Sequence, residues 1–303
     1  MIQSLDEYLT QRIRRLSSPL EPIPTEAVGA LPCMAGVRAV LFDVYGTLFI
    51  SGTGEIGVNE PLDSDSAFCE SVQAAGFQRL SPEALVRGPE RLKRHIRETH
   101  ARKKAQGVEY PEVDILEEWD KTIRELMDEN ILSGERSDER LRKLAVEYEL
   151  RTNPVWPMPD LRGCLDALQK SGIVLGIVSN AQFYTPYLFA AFLDGFPGQI
   201  GFQEELCIWS YQAGCGKPSP VLFETAAQRL QSQFRIAPSE ALYIGNDMLN
   251  DVWPASLVGF RTALFAGDQR SLRLRSEDPR CSLIQPDGIL KSLDDLRVSP
   301  LKK

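Results

Sequence analysis

The sequence predicts an α/β protein, a Rossmann-like parallel-sheet core interrupted by an inserted α-helical block. Three observations predict it. First, Val40-Leu41-Phe42 runs straight into Asp43, and Gly46 follows. An apolar run ending in a carboxylate and a glycine is how a buried parallel strand delivers a side chain to its C-terminal tip, the edge where ligands of open α/β sheets bind. Second, short apolar strands and helical segments alternate from residue 157 onward, as βαβ units do. Third, the stretch from about 62 to 152 has helical periodicity and little strand character.

In chain order, Leu5, Leu9, Ile13 and Leu16 fall near helical spacing and predict a short amphipathic helix over 2–16. Its role, as a clamp on the core or a dimer contact, stays open. Pro19, Pro22, Pro24 and Pro32 make 17–35 an extended connector. The first strand covers 37–43, and a glycine- and serine-rich loop is expected over Ser51–Asn59. In the helical block, Phe68, Cys69 and Val72 begin one face and Gly76 is a stop. Ser81-Pro82 reads as a cap followed by proline at the first helical position. Ile115, Leu116, Trp119, Ile123, Leu126 and Met127 mark a second face; Leu141, Leu144, Ala145 and Tyr148 mark a third, capped by Ser137. Ile173–Ser179, Leu206–Ser210, Ala241–Gly245 and Phe260–Phe265 are the later strands, with helices around Leu161/Leu165/Leu168 and Leu222/Ala226/Leu230 between them. The expected units are 1–35 as an extension, 36–60 with 153–303 as the core, and 61–152 as the helical insertion.

The bulk composition bounds the function. Of 303 residues, 43% are apolar and 25% charged, which suits a globular protein with a sizeable core. A net charge of −8 argues against a nucleic-acid partner or an anionic membrane surface. No apolar run approaches the roughly 20 residues that span a bilayer. Asp6 and Glu7 sit where a secretory signal would need an apolar segment. The six cysteines lack paired spacing, so the expectation is a reduced cytoplasm.

Four short motifs carry the chemistry. They are Asp43-Val44-Tyr45-Gly46-Thr47, Ser179-Asn180, Lys217-Pro218, and Gly245-Asn246-Asp247-Met248-Leu249-Asn250-Asp251. Each falls at a strand tip or a helix start. Alone, each has a plain reading: a turn cap for Asp43, turn chemistry for Ser179-Asn180, a solvated loop lysine for Lys217. In this order they resemble the haloacid dehalogenase-like hydrolases, over roughly 36–50 and 155–295.

The resemblance implies a helical cap at 61–152 and a hydrolase working through a covalent ester at Asp43. It implies Thr47 and the backbone turn at Gly46 beside the nucleophile, Ser179 and Asn180 toward an anionic substrate group, and Lys217 as a fixed positive charge. It implies Mg²⁺ on Asp43, the carbonyl of Tyr45, and Asp247 or Asp251, with Asp251 orienting Lys217 as the other possibility. The substrate would be a small anion; oligomeric state and cap specificity are left open.

Tyr45 departs from the phosphatase pattern, which has a second aspartate there to protonate the leaving alcohol. A phenol, with a reference pKa near 10, replaces that acid poorly. The 2-haloacid dehalogenases of the family carry tyrosine here and use no metal. Against that reading, Phe223 stands where they have tyrosine, and the fourth motif has two carboxylates, whose repulsion a cation would relieve. Mg²⁺-dependent hydrolysis of a phosphate ester is therefore preferred, with metal-independent dehalogenation and a catalytically weak binding module as alternatives. Asn246 is a second departure, because an acidic residue often follows this glycine.

In the insertion, eight basic residues between Arg87 and Lys104 face eight acidic ones between Glu112 and Glu129. Two helices with complementary faces are expected, or one arginine turned toward the substrate. His95 and His100 are expected on an exposed helix face.

Overall fold

The computed structural model describes residues 4–30, 34–52, 64–81 and 84–299. Six parallel strands form the sheet: β1 (Ala39–Phe42), β2 (Val174–Ser179), β3 (Phe202–Trp209), β4 (Ala241–Gly245), β5 (Arg261–Phe265) and β6 (Gly288–Leu290). Their order is β6-β5-β4-β1-β2-β3. This is the Rossmann-like sheet that the alternation predicts. Every residue of β1 and β4 is buried, as expected of strands covered on both faces.

Two strands differ from the sequence reading. β3 begins four residues earlier than expected, at Phe202. It is an edge strand, so its Gln203-Glu204-Glu205 half can remain wet and shows no apolar run. β6 has only three residues, too few to display a period.

The helices are α1 (Leu5–Leu16), α2 (Ser64–Ala74), α3 (Ala84–Ala105), α4 (Ile115–Asp128), α5 (Asp138–Thr152), α6 (Leu161–Lys170), α7 (Thr185–Leu193) and α8 (Val221–Arg229). Helices α2 to α5 lie between β1 and β2 in the chain, and Trp119 of α4 stacks on Phe68 of α2 and meets Tyr148 of α5 edge-on. Ser137 caps α5 by accepting from the Arg140 amide, and Asp114 caps α4 through the Leu116 amide. The cap expected at Ser81-Pro82 and most of the loop expected over Ser51–Asn59 lie outside the described residues.

The charge-complementary helices are observed. Arg87 and Arg91 pair with Glu129, and Arg94 pairs with Glu125. The histidines correct the expectation. His95 is buried, with Nε2 3.3 Å from Glu125, and His100 Nε2 is buried as well. Thr99, one turn after His95, donates to the fully buried Glu118 of α4, so this face of α3 is turned toward α4.

Helix α1 bridges the insertion and the core. Leu9 and Ile13 are fully buried, Arg12 pairs with the buried Glu147 of α5, and Arg14 reaches the Ala190 and Ala191 carbonyls at the end of α7. The connector runs extended along β6, where Ala30 and Ile289 exchange backbone hydrogen bonds. A short antiparallel pair, Phe49–Ser51 against Val155–Pro157, carries the chain out to the helical block and back.

Candidate active site

The sheet order brings the motifs together. β1 lies between β4 and β2, with Phe42 level with both Ile244 and Ile177. In parallel strands this register puts the C-terminal tips side by side. Asp43 therefore emerges beside Ser179 on one flank and the Gly245–Asp247 turn on the other. Lys217 comes from the loop after β3, and the Asn180 side chain holds that loop. Asn180 Oδ1 accepts from the Lys217 amide at 2.7 Å, and its Nδ2 donates to the Lys217 carbonyl at 3.3 Å. Asn180 thus positions the lysine.

Asp43 is 6% exposed. Its Oδ1 accepts from Ser179 Oγ at 2.8 Å and from Lys217 Nζ at 2.7 Å. Among the described residues no hydrogen bond falls on Oδ2. The hydroxyl of Ser179, expected to face the substrate, is spent on the candidate nucleophile.

Lys217 also donates to Asp251 Oδ1 at 2.5 Å. Burial works against its ammonium, but Asp251 and Asp43 more than offset that, so its pKa is raised and it stays charged. Asp251 is fully engaged. Oδ1 takes Lys217 and lies 3.0 Å from Tyr243 Oη, and Oδ2 accepts from the Asp247 amide at 2.9 Å. Burial pushes its carboxyl up to about 6, against the pull of Lys217, with Asp43 and Asp247 adding to the push. Of the two roles left open for Asp251, this geometry matches orientation of Lys217. Gly245 makes room for it, since a Cβ there would lie 2.3 Å from Asp251 Cγ.

Asp247 lies on the same rim, and it too is engaged. Its Oδ1 accepts from the Leu249 and Asn250 amides at 2.8 and 3.2 Å. Its Oδ2 accepts from Asn250 Nδ2 at 3.0 Å and Arg275 Nη2 at 2.7 Å. Thr47 Oγ1 donates to Asn246 Oδ1 at 3.2 Å, not to Asp43. Gly46 has φ +84°, and a Cβ there would strike Ser271 at 2.5 Å, so both conformation and space require glycine.

Tyr45 is buried and its hydroxyl lies 3.0 Å from Thr185 Oγ1. Burial, then the Glu149 carboxylate, then Asp43 push its pKa up, while the Thr185 bond lowers it. It is a neutral phenol at any physiological pH.

A family model of the haloacid dehalogenase-like hydrolases matches residues 37–259. The chain belongs to that family.

Relatives of this hydrolase include phosphatases. It is 29% identical over 141 residues to the ribulose-1,5-bisphosphate 5-phosphatase of Halopiger xanaduensis, covering 46% of this chain and 54% of that enzyme. It is 29% identical over 196 residues to the phosphoserine phosphatase of Thermus thermophilus, covering 64% of this chain and 68% of that enzyme. Among solved structures, a 2-haloacid dehalogenase from Pseudomonas syringae pv. tomato superposes with a TM-score of 0.52 at 19% identity, over 86% of this chain and 96% of that one. That last likeness concerns the fold alone.

Three residues of this site escaped the sequence reading. Tyr243 packs edge-on against Phe223 and places its hydroxyl 2.8 Å from the Val178 carbonyl, beside Asp251 and Lys217. A tyrosine inside an otherwise aliphatic strand was the available signal, because a buried phenol needs a polar partner. Glu149 of α5 accepts from Tyr184 Oη at 2.9 Å and Asn153 Nδ2 at 3.1 Å, and burial raises its pKa. Arg275 lies beyond the family match and in no motif. No helix among the described residues is long and apolar enough to cross a membrane.

Proposed function

We propose that this hydrolase cleaves a small phosphate ester through a covalent phosphoryl ester at Asp43. The observation that carries the reading is the division of labour on Asp43. Ser179 and Lys217 both hold Oδ1, which orients the carboxylate, and no bond among the described residues restrains Oδ2. Oδ2 can then attack phosphorus while the bond to the leaving oxygen breaks. Lys217, kept charged by Asp251, steadies the anionic group that forms. Water cleaves the phosphoryl ester in a second step and regenerates Asp43. Both phosphatase relatives support this substrate class.

A divalent cation such as Mg²⁺ would be held by Asp43, the Tyr45 carbonyl and Asp247, and would neutralise charge on the phosphoryl oxygens. The donors are hard oxygens and fit such an ion in kind, on condition that Asp247 is released from Arg275. The described residues show no ready-made group of three or more carboxylate, histidine or cysteine ligands. Asp251 would stay with Lys217. The repulsion among the three carboxylates, which favoured a metal from sequence, is met in part by Lys217 and Arg275.

Tyr45 leaves the leaving group without the usual acid, so good leaving groups suit the site best. The same reading takes 61–152 as a cap over the core of 36–60 and 153–303, with 1–35 as an extension. The paired segments at 49–51 and 155–157 support boundaries there. Closure of the cap would exclude bulk water.

A second reading, metal-independent dehalogenation, is favoured by two observations: Tyr45 stands at the acid position, and arginine already satisfies Asp247. The test is phosphate release from 4-nitrophenyl phosphate with Mg²⁺ and with chelator, beside chloride release from 2-chloropropionate. Phosphate release that chelator abolishes is the expected result. Chloride release without phosphate release would give the site to the second reading.

A further inference from the structure

The segment from Asp268 to Arg275 follows β5, lies outside the family match, and is built onto the catalytic rim. Ser271 packs under Gly46, and its carbonyl accepts from Asn246 Nδ2 at 2.6 Å. Arg273 exchanges backbone bonds with the fourth motif, its amide to the Asn246 carbonyl and its carbonyl to the Met248 amide, both at 2.9 Å. This anchorage delivers the Arg275 guanidinium to Asp247. Arg275 does so from φ +50°, a left-handed conformation that is unfavourable for a non-glycine residue and persists only where the surroundings hold it.

The contact is a fork. Arg275 Nη2 is 2.7 Å from Oδ2, and Nε is 3.2 and 3.3 Å from Oδ2 and Oδ1. An ionised carboxylate offers about four lone-pair sites. On Asp247 the Leu249 and Asn250 donors take three and Arg275 crowds the rest. The donors from Leu249 and Asn250 belong to the turn that Asp247 caps. Arg275, a long side chain one-third exposed, is the donor that can leave. Charge agrees with this. Asp43, Asp247 and Asp251 against Lys217 leave two negative charges, which a divalent cation neutralises; with Arg275 seated only one remains.

We propose that Arg275 is a positioning residue that competes with a divalent cation for Asp247, so that the segment 268–275 sets the metal affinity of the site. The inference rests on the metal-binding part of the function proposed above. In the arginine-held form Asp247 is neutralised in place, and a cation enters only by displacing the guanidinium.

The test is a Mn²⁺ titration of the full-length protein followed by electron paramagnetic resonance, with circular dichroism as the check on folding. R275Q should bind Mn²⁺ about tenfold or more tightly than wild type, the order expected for relieving one charge-assisted pair. R275K, which keeps the charge and loses the fork, should fall between. The double variant R275Q/D247N should lose the gain, which places the ion at Asp247. A natively folded R275Q that binds Mn²⁺ no better than wild type, or a gain that survives D247N, overturns the proposal. The readout is independent of turnover. Tightened binding in R275Q without phosphate release from any ester would sink the proposed function and leave this competition standing.

Discussion

Lys217→Met isolates the charge that holds the site together. Lys217 Nζ is the shared donor between Asp43 and Asp251, at 2.7 and 2.5 Å, in a side chain only 3% exposed. Removing one partner of a buried pair costs about 3–5 kcal/mol, because the remaining charge is left in a poor solvent. Here two carboxylates would remain, facing each other. Burial already holds Asp251 up to about 6 with the lysine present. Without it, the folded-state value of Asp251 rises further above its unfolded value near 4. A raised acid binds more protons in the folded state, so the folded form of the variant loses stability as pH rises through that window. Urea unfolding should therefore show K217M about 3–5 kcal/mol less stable than wild type near pH 8, with a clearly smaller gap near pH 5. K217M/D251N should recover much of the loss, since it removes the facing charge. A gap below about 1 kcal/mol, or one independent of pH, would refute the claim that Lys217 neutralises this pair.

Two further perturbations test the surroundings of the site. Glu149 has a raised pKa from burial, so its contribution to stability is full below its ordinary value and lost as pH rises through the folded one. E149Q, which cannot ionise, should gain stability relative to wild type as pH rises above the ordinary carboxylate range; a difference that stays constant in urea titrations across pH would contradict that. Arg12 pairs with the fully buried Glu147, which Arg151 also engages. R12A should cost about 1–3 kcal/mol, because the second arginine limits the exposed need of the carboxylate, and limited proteolysis should find the α1 segment cleaved first. Unchanged protection of α1 would mean that the helix is held without this pair.

Much of the site was legible because parallel strands write it locally. An apolar run ending in Asp43, Ser179 or Gly245 states both the strand and the side chain at its tip, and the register of three adjacent strands does the assembly. The same logic explains what stayed hidden. Arg275 acts across the rim from a loop with no period and no motif, and Glu149 lies on a helix whose pattern reports only packing. β6 was too short to read. Ser179, Asn180 and Thr47 show the same limit: sequence names the groups present, while the structure shows which neighbour each supports, Asp43, Lys217 and Asn246 respectively. Tyr45 is the clearest case. Its position suggested lost acid chemistry, and its burial against Thr185 with the Glu149 carboxylate nearby shows why the phenol stays protonated.

The central claim is that Asp43 becomes covalently modified during turnover. Acid-quenched protein taken during hydrolysis of 4-nitrophenyl phosphate, digested and weighed by mass spectrometry, tests it most directly. The account predicts one phosphoryl group on the peptide containing Asp43, absent in D43N, which should also be inactive. Turnover without that label, a label on another residue, or activity retained in D43N would contradict it.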